Sequence, residues 1–143
     1  MYKAALGVFL LMSLTGASTP NVSGLAGRWR TQMHGALVDI KSCPDRSPCA
    51  VLVWVDQAIL QGITQDVRNP DPAKRSRPLV GLPIIWGLRP SAKGWDGGRV
   101  YNPETGQTFR SSMRSLADGT LRVTGCWGPL CRSEIWSRAD SAR

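Results

Sequence analysis

Asp66 and Asp71, followed by Arg75 and Arg77, are the residues of this sequence whose spacing most resembles a reactive site. Two carboxylates could serve as the acid and base of glycoside chemistry. The same spacing equally suits carboxylates that cap a turn and pair with nearby guanidiniums, and that is the expectation here. His34, the single histidine, stands before Gly35 in a turn, with no nucleophile or second ligand beside it in sequence. No Gly-x-Ser-x-Gly elbow is present, so a triad hydrolase lacks its parts. No enzyme, cofactor or metal is expected.

The four cysteines form two local sets, Cys43 with Cys49 and Cys126 with Cys131. Four cysteines allow three connectivities. Each local pair flanks a proline-containing turn between strand-like segments, so disulfides Cys43–Cys49 and Cys126–Cys131 are expected, each contributing roughly 2 kcal/mol by loop closure. The rival, a four-thiolate zinc site, needs spacings nearer two to four residues and a reducing compartment.

Residues 1–17 carry Lys3, an apolar run from Ala4 to Leu14 and the small residues Thr15, Gly16 and Ala17. This is the pattern of a cleaved signal peptide, and the run is too short to span a bilayer. The expectation is an exported, periplasmic or secreted chain whose single domain covers residues 18–143, with no membrane-spanning segment after cleavage. Eighteen basic against ten acidic residues leave a formal charge of +8. The arginines are dispersed rather than clustered, which argues for a basic surface facing anionic envelope components and against nucleic acid.

The elements that would position these residues are short and strand-like. Eight are expected, at 27–30, 36–41, 50–55, 82–88, 95–101, 107–114, 120–124 and 132–138. Residues 107–114 alternate cleanly, with Phe109, Ser111 and Met113 on one face. Residues 89–94 read as a turn, and Gly97 with Gly98 as a bulge or a close backbone approach. A single long crossing, residues 66–81, separates the two blocks of strands. Pro72 after Asp71 suits one short helical turn, which Pro78 must stop.

Four stretches together resemble the bacterial exported family called domain of unknown function 2147: Gly27-Arg-Trp29, the crossing with Asn69-Pro-Asp-Pro and Arg75-Ser-Arg-Pro, Gly98-Arg-Val-Tyr-Asn-Pro-Glu-Thr-Gly106, and Gly125-Cys-Trp-Gly-Pro-Leu-Cys-Arg132 running on to Arg138. The match covers about residues 26–138. The family has no settled activity, so the resemblance carries over no catalytic residues. A weaker likeness is to the calycin barrels, which include the lipocalins. It implies an antiparallel eight-stranded barrel in which Arg138 or Arg132 lies across Trp29 at the floor.

The function expected from this is a non-catalytic binding module for a small apolar or anionic ligand, with the ordered crossing over the mouth of the barrel. Trp54, Trp86, Ser111 and Met113 are the candidate lining, and Ser111 and Gly87 would leave room inside. Asp66, Asn69, Asp71, Arg75 and Arg77 are the candidate polar site. The alternative is an envelope interaction protein whose surface arginines, Arg75 and Arg77 foremost, contact anionic groups.

Overall fold

Alternating apolar and polar residues, cut by glycine- and proline-bearing turns, fold into antiparallel strands that bury one face. The computed structural model describes Gly16 and residues 20–139. Gly16 apart, the leader expected over residues 1–17 lies outside the described residues. The strands are β1 (Gly27–Arg30), β2 (Leu37–Ser42), β3 (Pro48–Trp54), β4 (Pro83–Trp86), β5 (Arg89–Ser91), β6 (Gly94–Asn102), β7 (Gln107–Ser115), β8 (Leu121–Trp127) and β9 (Leu130–Arg138). A short helix, α1 (Gln57–Leu60), follows β3.

All but β5 close a ring in which β4 pairs with β6 and β9 returns to β1. This is the expected eight-stranded antiparallel barrel with one extra strand. The expected turn at 89–94 is in fact β5 followed by a tighter turn at Ala92 and Lys93. Both β4 and β5 pair along β6, Ile85 opposite Val100 and Arg89 opposite Asp96. They form one strand kinked at Gly87, which takes a φ of 72° and is exposed rather than leaving room inside. Gly97 bulges β6 opposite that kink, with a φ of 71°. A Cβ on Gly98 would lie 2.7 Å from the Leu88 side chain, so only glycine lets the kinked strand pack there.

One end of the barrel is closed. Trp29 is buried there, its Nε1 donating to Leu25 O at 2.8 Å. The Arg138 guanidinium lies 4.1 Å from the centre of the Trp29 ring and donates to the carbonyls of Ala26 and Gly24, both at 2.6 Å. Above this floor Val38, Ile40, Ala50, Ile85, Met113 and Leu121 fill the closed half of the barrel. A disulfide between Cys43 and Cys49 closes the β2–β3 turn at the same end, and another between Cys126 and Cys131 closes the β8–β9 turn at the opposite end.

Candidate functional site

The opposite end, the mouth, is framed by the β1–β2, β6–β7 and β8–β9 turns and by the long crossing from β3 to β4. Asp56 starts α1 by accepting the Ala58 N–H at 2.9 Å, and Gln61 ends it in a left-handed conformation. The sequence reading missed this helix, although an aspartate before Gln-Ala-Ile-Leu is its local signal. Further on, Asp71 caps the short turn Pro72–Lys74 through the Ala73 N–H at 3.0 Å. The crossing is then pinned by a bridge between Gln65 and Pro78 and by the buried Leu79 and Leu82.

Asp66 is the hub of the crossing and is fully buried. Its Oδ2 accepts from Asn69 Nδ2 at 2.8 Å and from Arg77 Nε and Nη2 at 3.1 and 3.0 Å. Tyr101 of β6 donates its hydroxyl to Oδ1 at 2.5 Å. Burial, then the hydrogen bond to Asp66, pushes the Tyr101 phenol up to about 12. Arg75 Nε donates to Asn69 O at 2.8 Å. The structure thus brings Asp66, Asn69, Arg75 and Arg77 together, but as an internally satisfied knot. Asp71 stands apart as a cap, with Lys74 rather than an arginine nearest its carboxylate, at 3.9 Å.

Above the filled half the barrel opens into a cavity of ≈ 880 Å³. Its walls include Leu52, Val100, Phe109, Val123 and Trp136, and Leu60 and Ile63 border it from the crossing. Polar residues line it as well, among them Thr31, Gln61, Gln65, Asn102, Arg68 and Arg132. His34 Nε2 lies 3.2 Å from Glu104 Oε2 at the rim, and Glu134 Oε2 accepts from Trp136 Nε1 at 2.9 Å.

Several expected lining residues are elsewhere. Trp54 follows Ala50 and Leu52 on the inward phase, but the β2–β3 register shifts so that Leu37 faces Trp54 while Val38 faces Leu52. That bulge turns Trp54 outward, where it is 45% exposed and absent from the cavity wall. Trp86 is the neighbour of the inward Ile85 and so points away, bordering a smaller outer cleft with Arg77 and Lys74. Met113 belongs to the packed core beneath the cavity. Ser111, too, is absent from the cavity wall: it is buried between Phe109 and Met113 on the same face of β7, opposite Gly125, and its hydroxyl has no partner among the described residues. Arg132 pairs with Gly125 at the mouth and has no part in the Trp29 stack, which Arg138 alone makes. Sequence reasoning also passed over Glu134, although alternation places it on one face of β9 with Arg132, Trp136 and Arg138.

No curated protein matches the chain. A solved structure, protein HP1028 from Helicobacter pylori, described as belonging to the lipocalin family, superposes with a TM-score of 0.68. It is 23% identical, over 81% of this chain and 83% of that one, a likeness that shows the fold, a lipocalin-like barrel. The family model described as "Uncharacterized protein conserved in bacteria (DUF2147)" matches residues 27–138, and the chain belongs to that bacterial family.

Proposed function

We propose that this protein is an exported, non-catalytic module that holds a small, mainly apolar ligand in the open half of its barrel. The observation that carries the reading is the division of the interior: a packed floor below, and a largely apolar cavity of ≈ 880 Å³ above, within the size range of sites that enclose small molecules.

The state of the reactive residues supports a binding rather than a catalytic role. Both cysteine pairs are spent in disulfides, His34 is paired with Glu104, and Asp66 is saturated by three side chains. Arg75 and Arg77 are turned to partners in their own crossing, which disfavours the alternative in which those two arginines recognise an anionic envelope group. The disulfides fit the oxidising compartment to which a cleaved leader would send the chain.

Native mass spectrometry of protein purified from its own cell envelope tests the reading. A retained small molecule, released when the barrel is unfolded, is the expected result. Protein recovered only at its bare mass, whose cavity then takes up no apolar compound, would count against it. The same spectrum shows whether the first residue lies near Ser18, as cleavage of the leader requires.

A further inference from the structure

Arginines that are dispersed along the sequence are gathered by strand register on one side of the barrel. Gly98, Ser111, Met113 and Leu121 point inward and are buried, so their neighbours Arg99 of β6, Arg110 and Arg114 of β7 and Arg122 of β8 stand exposed on the outer face. Register sets Arg99 directly opposite Arg110, and Arg114 directly opposite Arg122. Like charges so placed repel and lower the stability of the sheet. Among the described residues no carboxylate lies within ion-pair distance of any of the four. Two acids stand at the edges of this face, Asp96 at the β6 bulge with Arg89 opposite it, and Asp118 in the β7–β8 turn, bonded to Thr120. Even with both counted as full charges and Arg89 left out, four arginines face two carboxylates.

Between the two arginine pairs runs a row of hydroxyls. Ser112 faces Thr124, and Thr124 faces Ser133 of β9, their two hydroxyl oxygens 2.7 Å apart. Arg110 and Arg114 are four positions apart on β7, so about 14 Å of extended strand separates the pairs. Two guanidiniums side by side clasp one carboxylate or phosphate, and the hydroxyl row between them matches the hydroxyls of a sugar. Entry into a bilayer would require apolar side chains in that row, and single-stranded nucleic acid a series of stacking aromatics; the row supplies neither. We propose that the outer face of β6, β7 and β8 binds an acidic polysaccharide, with one anionic group at each arginine pair and neutral sugar hydroxyls on Ser112, Thr124 and Ser133. This surface is separate from the cavity and stands whether or not the barrel holds a ligand.

Calorimetric titration of the purified protein with hyaluronate, whose carboxylates alternate with neutral sugars, and with phosphomannan tests this, with neutral dextran as the blank. At least one acidic polymer should bind, dextran should not, and high salt should weaken the binding. Arg99→Thr with Arg110→Thr, and Arg114→Thr with Arg122→Thr, should each weaken it about tenfold or more. Both doubles should melt no lower than wild type, because each relieves a like-charge contact. Lys41→Ser with Arg46→Asn removes the same charge from β2 and the β2–β3 turn, across the barrel from β7, and should change little; asparagine suits the φ of 66° at Arg46. Failure to bind either acidic polymer would overturn the proposal, as would equal losses from the Lys41 and Arg46 double. A lower melting temperature in either arginine double would also overturn it, since the arginines would then hold the sheet together. So would tighter binding to phosphatidylglycerol vesicles or to single-stranded oligodeoxythymidylate than to either polysaccharide, because the face would then serve a membrane or a nucleic acid.

Discussion

Asp66 and Tyr101, 35 residues apart in sequence, share a buried hydrogen bond of 2.5 Å that ties the crossing to β6. Asn69 Nδ2 approaches the same hydroxyl at 3.3 Å while bonding Asp66, and Arg77 closes the group from the far side of the short helical turn. A mouth loop that would otherwise sample many conformations is thereby fixed at one buried carboxylate.

The first expectation concerns alkaline pH. Tyr101 titrates at about 12 in the folded protein against an ordinary value of 10.0. A raised pKa contributes stability that is complete below pH 10 and is lost as pH climbs through 12, at up to about 1.4 kcal/mol per pH unit. Tyr101 is the only tyrosine after residue 17, so tyrosinate absorbance reports it directly. Ionisation should begin well above pH 10 and coincide with loosening of the crossing. A normal titration near pH 10 in the folded protein would contradict the buried pairing.

Removing one partner of the Asp66 knot leaves the others desolvated and unpaired. Asp66→Asn should lower stability by about 2 to 4 kcal/mol in urea unfolding. Arg77→Ala should cost less, about 1 to 2 kcal/mol, because its side chain is 38% exposed and water screens the pair. Unchanged unfolding midpoints together with lost binding of an anionic ligand would instead make the arginine a recognition residue.

Gly106, with a φ of 73°, ends the β6–β7 turn directly against the Arg68 carbonyl, where no Cβ fits. Gly106→Ala should therefore push the crossing off the mouth, lowering stability by about 2 kcal/mol or more. Hydrogen exchange should rise selectively over residues 64–79. Uniform exchange, or none gained, would show that the two loops are not coupled.

The barrel was legible in the sequence because its signals are local: alternation along 107–114, turns carrying glycine or proline, and cysteines flanking two of them. The Trp29 floor came from the calycin likeness, which left Arg138 and Arg132 open, and the structure places Arg138 there. The lining was not legible, because it depends on phase across irregularities. A single bulge before Trp54 reverses its face, and the kink at Gly87 creates a strand from what reads as a turn. The Asp66 knot was half legible. Its arginine lies in the same stretch, whereas Tyr101 joins only through the tertiary fold.

Ser111 separates stability from function. Replacing its buried, unpartnered hydroxyl by alanine removes a desolvated polar group, so Ser111→Ala should hold stability constant or raise it by about 1 kcal/mol. Ligand affinity, read by calorimetry, should stay unchanged in the same variant, because Ser111 lies behind the cavity wall. A marked loss of stability would show that Ser111 has a structural partner after all.

The open half of the barrel is tested most directly by filling it. Gly125 lines the cavity, and a Cβ there would meet Val100 and Phe109 at 3.4 and 3.6 Å, so Gly125→Leu enters the cavity with little strain on the strand. The measurement is fluorescence titration with an apolar dye such as 1-anilinonaphthalene-8-sulfonate, in wild type and in Gly125→Leu, with thermal melts alongside. A cavity that takes ligand gives saturable binding in the wild type, and binding at least tenfold weaker in a variant that melts no lower. Equal dye binding in both proteins, or none in the wild type, would contradict an open ligand site inside the barrel.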